Sequence, residues 1–409
     1  MIGENVSEAG IPDFQIPASP FIFVKKGKRG KQNLAKIHVY EGIATLVGMV
    51  IGAGVLGIPY IVAQAGFLTG LLSLVLIGLA ILIVNLLVGE VALRTEGNHQ
   101  LPGYAGHYLG KWGKRLMTLS MIIGVYGALI AYTLGEGQSL SQIFGFDPWL
   151  WSTLFFVCGA IWLFFGIKTL AASELLMTFV KLCIFVSIVA ALFIVGNFKL
   201  GNLAEFSASK LLIPYGVILF AYLGTAAIPE VREVIRGHWH EMKKAVILGS
   251  LIPIGVYAIF TFAVIGVMGL GTTEIATVGI GQLLGKLGLV FTNVFAILAM
   301  ATSFIALGIA LKEVYTYDYK LPKNLAWIFV CAVPIVLILL GVHSFIKVIG
   351  ITGAISGGLD GILVVLMWWK AKQAGQRKPE YEINLPEIIS YLLIAMFAIG
   401  AGYVVYSII

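Results

Sequence analysis

Eleven nearly uninterrupted apolar stretches run through this sequence, near residues 42–65, 68–93, 115–144, 149–167, 169–197, 210–236, 243–269, 287–315, 324–341, 345–369 and 387–409. A helix needs about 20 apolar residues to cross a bilayer, and these stretches meet or approach that length. A soluble chain carries roughly a quarter charged residues. Here 11% are charged, 59% are hydrophobic and the mean hydropathy is +0.97. A membrane β-barrel would show shorter alternating segments, and none occur. The expectation is an all-α integral membrane protein. The narrowest separation lies between the fourth and fifth stretches, where only Gly166 to Thr169 offers a turn. Left unsplit, that stretch is too long for one crossing.

Charge placement sets the orientation. With the N-terminus inside, 22 of the 27 Lys and Arg fall on the cytoplasmic side and only Lys199, Lys210, Lys286 and Lys347 fall outside. Lys181 remains within a span. The positive-inside rule then predicts a cytoplasmic N-terminus and an extracellular C-terminus in a cell membrane. The net charge of +7 follows from this bias. It does not indicate nucleic acid, since no Arg- and aromatic-rich soluble surface accompanies it. Residues 1–38 read as a polar cytoplasmic tail and not as a signal peptide. Cys158, Cys183 and Cys331 lie in apolar spans without metal-ligand spacing and read as small buried packing residues. No Walker A, dinucleotide or HExxH motif is present, so no cofactor or metal is expected.

Two spans look interrupted. The first reads GIATLVGMVIGAGVLGIPYIVAQAG, with Gly48, Gly52, Gly54, Gly57 and Pro59 in a charge-free run. The sixth reads IPYGVILFAYLGTAAIPEVREVI, with Gly224 followed by Pro229 and Glu230. Glycine permits unusual backbone angles, and proline removes a donor and crowds the preceding turn. In lipid, freed backbone groups must face protein, water or ligand. A break at Gly52–Ala53–Gly54 would aim helix-start N–H groups at one point and so receive a carboxylate. The competing reading is that these glycines only permit close helix packing. Glycine and proline recurring in a helix of opposite sense is expected of paired discontinuous helices in an inverted repeat. Spans one to five and six to ten are of similar length. An odd five-span unit repeated once must reverse its orientation, leaving the eleventh span outside the repeat.

Ionisable groups at membrane depth mark candidate function. Lys181 stands well inside the fifth span with no acidic residue within four positions. It reads as a coupling or cation-substituting residue, or as a snorkelling lysine. Thr302 and Ser303 of the eighth span are candidate partners. Asp360, among Gly357, Gly358 and Gly361, reads as a proton carrier, a partner for a buried cation, or a group displaced to the inner surface. Glu90 and Glu230 are expected to pair with cytoplasmic cations, and Asn85 to bond another helix. Glu136 and Gln138 are expected in a hydrated outer vestibule. Trp112, Trp149, Trp151, Trp327, Trp368 and Trp369 read as interfacial anchors. Tyr126, Tyr132, Phe220 and Tyr222 lie deeper, as packing or as pocket walls.

The chain resembles the amino acid–polyamine–organocation superfamily, closest to its hydroxy and aromatic amino acid permeases and amino acid/auxin permeases. The match is carried by GMVIGAGVLGIPYIVAQAG, FAYLGTAAIPEV, GSLIPIGVYAIF and FAILAMATSFIALGIALKEV, in that order along the chain. It implies a 5+5 inverted-repeat transporter with discontinuous helices 1 and 6, plus an eleventh helix. The units would be residues 1–38 (tail), 39–199 and 200–370 (repeats), and 371–409 (inner loop and last helix). It further implies that the substrate carboxylate meets amides of Gly52, Ala53, Gly54 and Val55. The substrate amine would meet carbonyls around Phe220, Ala221 and Tyr222, beside Gly224, with selectivity from the third, sixth and eighth spans, Tyr126 included. Thr302 and Ser303 match the hydroxyls of a sodium site in relatives. Lys181 matches a lysine that elsewhere replaces that sodium.

The implied function is secondary active import of a neutral L-amino acid, with aromatic and branched side chains as candidates. Its coupling ion would be a proton, and the protein would not be an enzyme. Sodium symport and exchange stand as alternatives, as do an amino-acid-sensing receptor or a channel on the same scaffold.

Overall fold

The computed structural model describes residues 28–165 and 174–408, with side chains over 38–165, 179–316 and 319–407. Most of the N-terminal tail and the Gly166–Thr169 turn lie outside the described residues. Among the described residues the fold is all-helical. Seven helices are long and apolar enough to cross a membrane, and a bent pair in the first span makes an eighth.

The bent pair is α1 (Lys28–Val50) and α2 (Gly54–Ala65), which meet at 56°. α1 begins inside the segment expected as tail. Helix α3 (Phe67–Arg94) follows through Gly66 and returns across the bundle. Helix α4 (Leu101–Phe144) is longer than the expected third span because a more polar helix runs into it, bent at Gly110. Gly110 has φ 72°, a left-handed conformation that glycine adopts without a Cβ penalty. Helices α5 (Pro148–Phe165) and α6 (Glu174–Val195) complete the first half.

The sixth span is divided into α7 (Tyr215–Ala221) and α8 (Ile228–Val234), separated by Tyr222–Gly224 and a 3-10 turn over Thr225–Ala227. Pro229 sits in the first turn of α8, where its missing N–H has no intrahelical acceptor to lose. Helix α9 (Met242–Met268) is the seventh span. A short helix α10 (Ala276–Leu283) leads into α11 (Gly285–Glu313), and α12 (Lys323–Leu339) follows. The tenth span is α13 (Phe345–Thr352), a π-helical turn over Gly353–Gly357, and α14 (Gly358–Ala374); α15 (Glu387–Ile408) is last.

Helix α4 packs against α5 and α11, and α9 packs against α1 and α3. The interior holds continuous apolar contact from Leu46 and Leu56 through Tyr257, Phe295 and Phe304 to Phe345. Outward faces stay apolar, as in the exposed row Leu68, Leu72, Leu76 and Leu79 on α3, which suits lipid contact. Cys158 and Cys183 are on such exposed faces and Cys331 is half-buried, so the expectation of buried cysteines is corrected. Trp368 is likewise no surface anchor: it is buried and its indole N–H donates to Glu90 at 2.9 Å.

Candidate functional site

The two breaks touch. A Cβ placed on Gly54 would lie 2.5 Å from the Cα of Ala221 and 2.7 Å from its Cβ, so only glycine allows the start of α2 to reach the end of α7. Gly224 is similarly filled, by Val50 and Leu46 of α1. No side chain caps the start of α2. The N–H groups of Gly54 and Val55 open that helix and, by helix geometry, have no acceptor within it. Leu56 N–H already bonds back to the Ala53 carbonyl at 3.0 Å. Opposite them are helix-end carbonyls at the breaks, that of Val50 already accepting the Gly52 N–H at 2.9 Å. Tyr257 of α9 collects two: its hydroxyl stands 2.7 Å from the Val50 carbonyl and 3.0 Å from that of Ala221. Helix-start amides and helix-end carbonyls at one depth form a paired donor and acceptor surface, the arrangement a zwitterion needs.

Space remains on the Gly52 side. A Cβ there would make only ordinary contacts, 3.7 Å from Ser303 Oγ and 3.9 Å from Tyr132 Oη. Ser303 donates to its own helix at Ala299, 2.9 Å away, and Thr302 donates to Leu298 at 2.8 Å. Both oxygens retain lone pairs to offer. Gly52, Ala53, Gly54, Val55, Phe220, Ala221, Tyr222 and Gly224 are all buried.

Tyr126 is placed elsewhere. Its hydroxyl is engaged with Tyr315 at 2.8 Å and with the Phe329 carbonyl at 3.1 Å, toward α11 and α12. One and a half turns outward on α4, Tyr132 occupies the position beside Gly52. Tyr222 stacks near Tyr257, ring centroids 5.2 Å apart, and packs toward Gly78 of α3.

Lys181 is 8% exposed on α6, which packs against both α1, the helix that leads into the break at Gly52, and α11, which carries Ser303. Asp360 faces Ser120 across the α14–α4 contact, and its Oδ1 is buried without a hydrogen bond. The expected hydrated setting of Glu136 is corrected: the residue is 0% exposed.

Acidic and basic groups at the inner ends form an anchor that charge counting only partly foresaw. Glu90 receives Arg94 Nε at 2.9 Å, the Trp368 indole and the Ile383 N–H at 2.8 Å. Asn85 donates to Ser250 at 3.1 Å, as expected of an interhelical bond. Arg232 of α8 is buried and donates to the carbonyls of Gly97 and Thr95 and to the Tyr104 hydroxyl. Burial pushes the Tyr104 phenol up, against an opposing pull from Arg232, so it stays neutral. Trp239 lies between the guanidinium groups of Arg232 and Arg377, at 5.1 and 4.8 Å from its ring.

Known proteins share this design. Over residues 36–404 the chain matches the tryptophan/tyrosine permease family. It is 26% identical to the tyrosine-specific transport system 1 of Haemophilus influenzae, over 88% of this chain and 96% of that protein. It is 22% identical to glutamine transporter 2 of Aliivibrio fischeri, over 76% of this chain and 83% of that one. Its fold matches the crystal structure of a manganese transporter from Eremococcus coleocola with a TM-score of 0.65, covering 92% of this chain and 87% of the other at 12% identity. This is therefore a multi-pass membrane amino acid transporter of the amino acid–polyamine–organocation superfamily, not an enzyme, and the chain belongs to the tryptophan/tyrosine permease family.

Proposed function

We propose that the protein imports a neutral L-amino acid, preferably an aromatic one, by proton-coupled alternating access. The observation that carries this is the contact between the two breaks, Gly54 against Ala221 with Tyr257 across the carbonyls of Val50 and Ala221. The substrate carboxylate takes the amides of Gly54 and Val55, and the ammonium takes carbonyls that Tyr257 holds in the empty site. The side chain extends past Gly52 toward Tyr132 and Ser303. The preference for aromatic substrates rests on the tyrosine-specific relative, and the wider neutral class on the glutamine transporter.

Helix packing supports an inverted 5+5 arrangement. Contacts of α1 and α2 with α9 have counterparts in those of α7 and α8 with α3. The α1–α6 contact corresponds to α7–α13, α6–α11 to α14–α4, and α5–α11 to α12–α4. Helices α3 and α9 pair with each other, as do α4 and α11, as equivalents across a pseudo-twofold would. The N-terminus lies in the cytoplasm and α15 stands outside the repeat. In this arrangement Lys181 places an ammonium toward the Thr302–Ser303 side and disfavours sodium there by charge repulsion. Binding measured across labelled L-tyrosine, L-tryptophan, L-leucine and L-glutamine tests the substrate class. Saturable binding of an aromatic member is expected, and no binding of any member would reject the proposal.

A further inference from the structure

Glu136 is the one glutamate within the outer half of α4, eight residues before its end, or about 12 Å at 1.5 Å per residue. It is 0% exposed, and neither carboxyl oxygen has a hydrogen-bond partner among the described residues. Glycines on both sides let neighbouring helices pack tightly against this turn of α4. A Cβ on Gly135 would strike Met300 Sδ at 2.5 Å and approach Phe345 at 3.4 Å, while one on Gly137 would collide with Ser152. The carboxyl itself is fully enclosed, and no charged group is set against it among the described residues. The polar group facing it from α11 is the backbone of Ala301. Within four residues on α4 the only other titratable side chain is Tyr132. Glu274, beside α10, is spent on Ser344 and the Ile346 N–H. On α14, Asp360 faces Ser120, about 24 Å lower along α4. An ionised carboxylate sealed in this way would cost several kcal/mol, so the group is held as the neutral acid.

Tyr132, whose hydroxyl borders Gly52, lies about one turn before Glu136 on α4. Parting α4 from α11 would wet the carboxyl and the substrate site together. We propose that Glu136 is the proton carrier of the transport cycle, protonated from the outer water before closure and deprotonated to water when the inner side opens. One O–H bond forms and the same bond later breaks; nothing is oxidised or reduced. This rests on the proton-coupled reading above and assigns the mobile proton to Glu136, leaving Lys181 as the fixed cation.

The test uses the full chain in proteoliposomes with labelled L-tyrosine and a trapped pH-sensitive dye. Glu136→Gln copies the neutral acid and cannot release a proton. It is expected to retain substrate counterflow while losing proton-driven accumulation by at least about tenfold, a difference of about 1.4 kcal/mol in driving force. Substrate-coupled acidification should vanish with it, and Glu136→Asp should recover both in part. Proton-driven accumulation by Glu136→Gln at the wild-type level would overturn the assignment. Loss of counterflow in both variants would overturn it as well, by making the residue a structural or substrate contact. Should Glu136→Gln fail to fold, infrared spectra of Asp360→Asn protein decide. A protonated-carboxyl band at neutral pH that shifts on L-tyrosine addition is expected, and its absence overturns the proposal. A wild-type protein that shows no proton-driven uptake rejects the proton coupling itself, whereas wild-type uptake with an unaffected Glu136→Gln rejects Glu136 alone.

Discussion

The Tyr257 hydroxyl sits 2.7 Å from the carbonyl of Val50, the last residue of α1, and so binds the seventh span to the break in the first. The same hydroxyl reaches Ala221 at 3.0 Å, the last residue of α7. One side chain therefore ties both discontinuities, and its removal takes a donor from the Ala221 carbonyl, while that of Val50 keeps the Gly52 N–H at 2.9 Å. A buried polar group left unpaired costs roughly 1–3 kcal/mol. Tyr257→Phe is expected to lower the apparent Tm of the detergent-purified protein and to raise the substrate KM. An unchanged Tm and KM would remove this tie from the mechanism.

Gly54 is the second point of contact between the breaks. Gly54→Ala drives a methyl group into Ala221 backbone, which cannot yield as a flexible side chain would. Overpacking of this kind costs about 1–3 kcal/mol, and uptake is expected to fall by about tenfold or more. Gly201→Ala, where nothing lies within 4 Å, serves as the control and should transport normally. Comparable uptake by the two variants would show that the breaks need not meet.

Lys181→Ala is expected to fold, since the deletion leaves small apolar bulk in a buried helix face. It should lose gradient-driven accumulation while retaining exchange of labelled for unlabelled substrate. Full retention of accumulation would take Lys181 out of the coupling step.

Arg232 holds α8 to the chain between α3 and the first part of α4 through Thr95, Gly97 and Tyr104. Replacing it with alanine frees four acceptors at once, the Asn98 side chain included. Hydrogen exchange at residues 95–104 is expected to quicken in Arg232→Ala, and Arg232→Lys should rescue it poorly because an ammonium lacks the planar fork. Exchange at the wild-type rate would mean that the anchor does not hold this segment.

Much of the fold was legible because bilayer thickness imposes a length on every crossing. The break in the first span was legible too, since Gly52, Gly54 and Pro59 leave backbone groups that lipid cannot satisfy. Tyr257 was not. A tyrosine within GSLIPIGVYAIF looks like packing until the helix-end carbonyls of Val50 and Ala221 are brought to it by two other helices. Tyr126 and Tyr132 were equivalent in sequence, and only the rotation of α4 against α11 separates them. Glu136 misled for a related reason: its depth suggested a vestibule, whereas its full burial depends on how other helices pack against α4. Arg232 belonged to the cytoplasmic charge count, which gave it a side of the membrane but not its burial against Thr95 and Gly97.

Transport itself is the most direct test. Purified protein in sealed vesicles is given labelled L-tyrosine, L-tryptophan, L-leucine or L-glutamine under an imposed inward proton gradient, an inward sodium gradient, or neither. Accumulation of an aromatic amino acid above the external concentration is expected with the proton gradient alone, and collapse on adding a protonophore should follow. Accumulation that follows only the sodium gradient, or none under any gradient, would contradict proton-coupled import through the paired breaks.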